Sequence, residues 1–349
     1  MKLKTVLILA LAALVACLAA AYVLTRYAGP DALRAGNPGP MLPDMAQRLG
    51  ELAVINVESV GRRVSLRREE GLWAIEQRDG YHADPTKVRD LVLGLERLQK
   101  LEPRTQLAKN HARLHLRDLK HKDSKAHKIT LIDMDGHIVA GLMVGKRNFN
   151  IGDGGQSGIY LRRAESNETW LARGELPFSD DPTQWMNRLL IDLPAEAVAK
   201  VTLFHPKDHV VVLSKDPLTK RFRPENAPTG SGAAKPMAVL PLTQALDGLL
   251  FEDVRRADRI PFDPDGSLLV EIQTTAGPMV RMTVAPFEEA HWARLSLGRA
   301  EETADPAQDG LRRALLEAVR RADGWVFKIP ETTAAALNRK MVDLVQMPN

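Results

Sequence analysis

The apolar pattern of this chain recurs at a spacing of 151 residues, and that recurrence limits its fold more than any single motif does. Val88, Leu91, Leu95 and Leu98 stand at helical spacing, and Val239, Leu242, Leu246 and Leu249 follow each of them by 151 positions, as Arg255 follows Arg104. The flanking segments recur too. Alternating runs AVINVES (53–59) and RRVSL (62–66) are answered by VAKVTLF (198–204) and HVVVL (209–213). Alternation of this kind is the period of a half-buried strand, with Val64 and Leu66 on one face and Arg63, Ser65 and Arg67 on the other. The hairpin expected over 128–144, with its turn at Asp135-Gly136, is matched by LLVEIQTTAGPMVRMTV (268–284) around Gly277. TWLA at Trp170 is matched by GWVF at Trp325. The pattern predicts an α+β fold: two tandem related units, 51–193 and 194–349, each an antiparallel meander sheet packed by helices.

Local chemistry marks the helix starts. Asp84-Pro85 gives an N-cap followed by proline in the first turn, ahead of the helix that carries Val88 to Leu98, and Trp73 reads as a core residue of the preceding strand. Asp181-Pro182, with Gln184 at the third helical position, predicts a capped short helix through Leu190. Pro330 starts its counterpart, with Thr333, Leu337, Met341 and Leu344 on one face. The units differ in their insertions. GKRNFNIGDGGQSG (145–158) and PENAPTGSGAAKP (224–236) read as loops, while Leu311, Leu315, Leu316 and Val319 predict an extra amphipathic helix within 306–322 that stops at Gly324.

Ahead of both units, Thr5–Leu24 contains no charge. Twenty residues at the helical rise make about 30 Å, the hydrocarbon thickness of a bilayer. Lys2 and Lys4 precede the stretch, so 1–27 is expected to be an export signal or membrane anchor that places the rest of the chain outside the cytoplasm. Three fates are open: an uncleaved single-pass anchor, cleavage after Ala21 with Ala19 completing an A-x-A site, or lipidation of Cys17 at the end of LVAC. Residues 28–50 hold Pro30, Pro38, Pro40 and Pro43 and read as a tether. Cys17 is the only cysteine, so the chain cannot form an internal disulfide. With 44% hydrophobic residues and a net charge of +4, the exported part has material for two ordinary cores and a mild attraction to anionic lipid. Aromatic content of 5%, with no basic run interleaved with aromatics, argues against nucleic acid as a partner.

Motifs of catalysis or ligation are weak. Gly152–Gly158 lacks the third glycine of a dinucleotide fingerprint and the GK[ST] of a P-loop. His111, His115, His121 and His127 lie in a lysine-rich stretch that would repel a cation, which favours a solvated basic surface over a metal site. Asp133-Met134-Asp135-Gly136 begins like a calcium loop but lacks the later acidic ligands, so turn chemistry explains it better. Glu69-Glu70, Glu288-Glu289 and Glu301-Glu302 have no apolar neighbours to raise a carboxyl pKa. A nucleophile elbow is missing. The expectation is therefore no catalytic residue, no cofactor and no metal.

GLWAI, ADPTKVRDLVLGLERL, the string from His127 to Gly145 with GKR, GIYLRR, TWLA and PTQWMNRLLIDLP together resemble the bacterial family called domain of unknown function 4340, over most of 51–260. The chain departs from that pattern between His115 and Leu119, where a turn with glycine and proline is expected. The resemblance implies a membrane-anchored protein, in many cases an accessory of a gliding-motility type ABC transporter system. Together with the lack of catalytic motifs, it points to a non-enzymatic envelope protein of the bacterial inner membrane, with its body in the periplasm. Its partners would be membrane lipid through the N-terminal helix and the membrane subunits of such a transporter. An envelope hydrolase with a site between two lobes, and a purely structural spacer, are the alternatives.

Overall fold

A computed structural model describes residues 39–151, 156–207, 209–231, 234–263, 265–298 and 308–346. The apolar stretch Thr5–Leu24 and the Cys17 and Ala21 processing sites lie outside them. Among the described residues, no helix is long and apolar enough to cross a membrane. The chain is mostly antiparallel sheet with a few helices.

The strands in chain order are β1 Leu52–Ser59, β2 Arg62–Glu69, β3 Leu72–Ile75, β4 Tyr81–His82, β5 Gln99–Thr105, β6 His127–Asp133, β7 Ile138–Ile151, β8 Gln156–Arg163, β9 Thr169–Arg173, β10 Leu189–Ile191, β11 Val198–His205, β12 His209–Lys215, β13 Phe222–Pro224, β14 Leu249–Leu250, β15 Asp253–Arg256, β16 Leu268–Thr274, β17 Met279–Phe287, β18 Ala290–Leu297 and β19 Trp325–Ile329. The helices are α1 Met45–Arg48, α2 Pro85–Glu96, α3 Pro236–Thr243, α4 Asp309–Ala322, α5 Glu331–Leu337 and α6 Met341–Leu344. The chain divides into two compact units. One holds the residues up to Ala74 together with Ala83–Trp185, and the other holds Ile75–His82 together with Met186 onward.

Within the first unit the strand order is β3-β2-β1-β6-β7-β8-β9-β5. Ile55 faces Leu66 and Val57 faces Val64 across β1 and β2, and all four are fully buried. The opposite face is not simply solvated. Asn56 stands between Ser65 on β2 and Thr130 on β6, and the three form a buried polar row in which the Ser65 hydroxyl donates to the Asn56 side chain. Ser65 thus departs from the outward face that its alternation with Arg63 and Arg67 predicts. Trp73 is only half-buried. Helix α2 starts as its sequence dictates: the Asp84 carboxylate accepts from the Thr86 amide at 2.9 Å, Pro85 occupies the first turn, and Val88, Leu91 and Leu95 are buried.

Three expectations are corrected here. Residues 39–51 do not hang free as the second half of a tether: Met41, Leu42 and Met45 are buried, and the Met41 amide donates to the Leu98 carbonyl at 2.8 Å. Proline and glycine exclude regular structure, but they do not exclude packing. The glycine-rich loop expected from Gly145 to Gly158 is mostly strand, since β7 runs to Ile151 and β8 starts at Gln156. The Asp181 cap does form, accepting from the Thr183 amide at 2.9 Å, yet it starts only a 3-10 turn over Pro182–Trp185. Leu189–Ile191 then leaves as strand β10, which pairs with β14.

In the second unit the strand order is β13-β12-β11-β16-β17-β18-β19-β15. Subtracting ten from each number returns the order in the first unit, and α3 precedes β15 as α2 precedes β5. Helix α4 forms and buries Leu315 and Val319 as expected, but its buried face is completed by Ala318 and Ala322, while Leu316 is exposed and Leu311 half-buried. The segment after Pro330 is two short helices rather than one. The Ile75–His82 segment contributes Tyr81, whose ring meets Trp325, Phe251 and Phe327 edge-on at 5.0, 5.9 and 6.1 Å. Edge-to-face contact sets the positive rim of one ring against the negative face of another.

Two stability measurements follow. A Cβ on Gly145 would lie 2.2 Å from the Leu114 carbonyl oxygen and 3.0 Å from the Leu116 side chain. Gly145→Ala is therefore expected to cost about 2 kcal/mol in urea unfolding, the scale of an overpacked site that cannot relax. Tyr81→Ala leaves a void among three aromatic rings and is expected to destabilise the second unit by about 3 kcal/mol or more, read as early loss of near-UV signal.

Candidate functional site

The histidine-rich insertion between β5 and β6 is the part of the first unit with the most concentrated polar chemistry. It opens with a 3-10 helix, Ala108–Leu114, that ends on His115 at a φ of 59°, the left-handed region. That conformation favours glycine. Leu116 and Ala126 are buried with Met143 and close a small apolar cluster beneath the insertion.

One side chain pins this insertion to the sheet. Arg162 on β8 is buried, and its Nε donates to the Leu116 carbonyl at 3.1 Å. Its Nη1 donates to the Ala164 and Ser166 carbonyls at 3.0 and 3.2 Å, and its Nη2 donates to the Asp118 carboxylate. A guanidinium supplies five donors in a fixed fork, so one buried cation can satisfy acceptors of the insertion and of the β8–β9 turn at once. Burial opposes ionisation of Asp118, but the bond and charge of Arg162 outweigh it and hold the carboxyl below its usual range.

The histidines do not gather. His111 is buried and lies 3.0 Å from the Asn167 carbonyl. A carbonyl only accepts, so His111 carries its proton on Nε2 and acts as a structural donor, contrary to the solvated surface expected for it. His115, Arg117, Asp123 and Lys125 line a hollow of about 190 Å³. Desolvation first, and then the charges of Lys125 and Lys146, push the His115 pKa down. Arg104 and Lys146 both stand 5.7 Å from the Tyr160 ring. A cation at that distance is attracted by the face of the ring.

His127 belongs to a different cluster. Asp180 accepts from the Ser59 hydroxyl at 2.5 Å and lies 3.7 Å from Arg62 and 3.8 Å from His127. Serine, histidine and aspartate are the residue types of a hydrolase triad, but here the carboxylate stands between the hydroxyl and the imidazole. The geometry is that of a brace across β1, β2 and β6. Asp133, Asp135 and His137 bring their ligand atoms within 4.8 Å of one another. Both Asp133 oxygens are already engaged, Oδ1 by the amides of Asp135 and His137 and Oδ2 by Arg48 at 3.1 Å. This is the turn chemistry expected from its sequence.

In the second unit, a cleft of about 430 Å³ is lined by charges that pair with one another: Arg78 with Asp253 at 2.5 Å, Arg255 with Glu288 at 2.9 Å and Arg259 with Asp79 at 4.0 Å. Arg255 also stands over Trp292 on β18, as Arg104 stands over Tyr160 on β8. The 151-residue spacing of these arginines thus corresponds to equivalent cation–π contacts. Helices α3 and α6 expose Met237, Leu240 and Val342, which are 81%, 47% and 52% accessible. Met237 and Leu240 are one helical turn apart. The α6 segment runs against the start of α3, where the Lys235 amide donates to the Leu344 carbonyl at 2.8 Å. The sequence does not reveal this patch, because its residues look like ordinary core positions.

Arg162→Met is expected to release the insertion, seen as faster amide exchange over 108–126 with the rest of the first unit unchanged. The Asp118 pKa is lowered on folding, so its contribution is full above the unfolded carboxyl pKa and is lost as pH falls through the depressed folded value. Asp118→Asn is accordingly expected to flatten the acid limb of the stability–pH curve in this window.

A search of curated proteins finds no match to the chain. A family model does match, over residues 73–264, a stretch that includes the whole insertion, Arg162 and the Asp180 carboxylate of the brace. Because the matched stretch is more than half of the 349 residues, the chain belongs to the family described as Domain of unknown function (DUF4340).

Proposed function

We propose that this chain is a non-enzymatic accessory or binding component of an ABC-type transport system, held in the bacterial inner membrane by its N-terminal apolar stretch with its body in the periplasm. In this reading the two units descend from a tandem duplication, which the shared strand order supports. The observation that carries the partner role is the apolar patch of Met237, Leu240 and Val342 on α3 and α6. Large apolar side chains grouped on a surface mark contacts with other proteins, whereas singly scattered ones do not. The proposed occupant is a membrane subunit of the transporter. An envelope hydrolase is the alternative, and its best candidate group, Ser59, donates its proton to Asp180 rather than to an imidazole base.

The test uses tagged full-length protein, crosslinked and solubilised from its native membranes. Recovery of an ABC transporter membrane subunit, reduced about tenfold or more by Met237→Lys with Leu240→Lys, supports the reading. Recovery of nothing beyond that seen with the apolar stretch fused to an unrelated domain overturns it.

A further inference from the structure

The positive charge of the chain is not spread evenly. Residues 100–128 hold nine lysines and arginines against three acids, a surplus of six, while the whole chain is +4. The remainder is therefore net acidic, and this one stretch of the first unit carries the basic character. Its three acids are already neutralised, Glu102 by Arg104 at 2.8 Å, Asp123 by Arg117 at 2.5 Å and Asp118 by the buried Arg162. Lys109, Arg113, Lys120, Lys122 and Lys125 are exposed and have no ion-pair partner among the described residues. Leu107, 56% accessible, stands at the edge of the same stretch.

We propose that this face of the first unit seats on anionic lipid headgroups, so that the body lies against the bilayer instead of standing away from it. Clusters of lysine and arginine beside a membrane segment bind anionic lipid surfaces, and the attraction falls off within a Debye length, about 8 Å at physiological salt. Attachment geometry permits the contact. The described chain begins at the start of β5, where the Lys100 amide donates to the Gly39 carbonyl at 3.0 Å and Pro40 bridges Gln99, and the insertion leaves the other end of the same strand, about 20 Å away at the extended rise per residue. Fourteen residues separate Leu24 from Gly39. Their reach is at most about 50 Å when fully extended. The Arg162 clamp gives the face a fixed shape, which distinguishes it from a basic tail. An exposed leucine among the cations suits the headgroup boundary, where an apolar side chain finds acyl chains and a lysine finds phosphate.

The inference rests on the membrane-anchored reading, and the experiment separates the two. Full-length protein is reconstituted into vesicles of phosphatidylcholine alone or with about 30% phosphatidylglycerol, and lysine labelling is read by mass spectrometry. Lys109, Lys120, Lys122 and Lys125 are expected to label about threefold or more slowly on the anionic vesicles, with Lys220 of the second unit unchanged and the protection lost at about 0.5 M salt. Equal labelling on both vesicles overturns the inference. Carbonate extraction of the same vesicles tests the anchor separately. If the protein extracts, the anchored reading fails, and co-sedimentation of the full chain with added anionic vesicles decides the headgroup contact alone. In that assay a variant combining Lys109→Glu, Lys120→Glu, Lys122→Glu and Lys125→Glu, shown to be folded by circular dichroism, is expected to lose binding. Binding that survives the four reversals also overturns the inference.

Discussion

A single buried guanidinium sets the form of the first unit outside its sheet. The loop between β5 and β6 closes an apolar cluster over the sheet with Leu116 and Ala126, and the Leu116 carbonyl at that cluster needs a donor. Arg162 supplies it from beneath and ties the loop to the β8–β9 turn, donating to Leu116 and Asp118 of the loop and to the Ala164 and Ser166 carbonyls of the turn from one planar head. A buried cation is costly unless its donors are used and a counter-charge is near, and both conditions hold here. Loop, hollow and basic face all keep their shape because this ion is satisfied, and His111 adds a second tie to the Asn167 carbonyl.

The two sheets share a strand order but differ in how they handle charge. In the second unit the acids and arginines around Arg255 pair across the cleft and leave a surface near neutrality. Around Arg104 in the first unit the acids are consumed locally and the lysines are left over. The cation–π contact of each arginine with its aromatic partner is common to both. Sheets of one strand order can keep such a contact because it involves only strands of one sheet, whereas insertions outside the sheet are free to differ.

Much of the fold is legible in the sequence because its signals are local. Period-two alternation locates β1, β2, β11 and β12, and the Asp84-Pro85 cap locates α2 within a residue. What is not legible depends on partners distant in the chain. Ser65 is polar and alternates with arginines, so nothing in its neighbourhood reveals that Asn56 stands across from it in a buried row. His111 looks solvated among lysines, yet its proton has a carbonyl acceptor 56 residues away. The Asp181 cap is plain in the sequence, but a cap fixes only a first turn, and pairing with β14 claims the residues that follow. Met41, Leu42 and Met45 are apolar within a proline-rich stretch whose composition hides them. Of the candidate surfaces, the basic face is visible as a run of lysines, while the α3–α6 patch requires the helices to be placed.

The grouping of Ile75–His82 with the second unit bears on the order of events during synthesis. Tyr81 leaves the ribosome long before Phe251, Trp325 and Phe327, the rings that bury it. Domains of a growing chain fold as units as they emerge, amino-terminal first. The first unit can close its sheet at that stage, but Tyr81 on the β4 edge strand waits for Phe251 and then for the last strand, Trp325–Ile329, before its ring contacts are complete. Translation therefore passes through a long interval in which this ring lacks most of its final partners. A chain stopped before that strand would lack the Trp325 and Phe327 contacts of this ring.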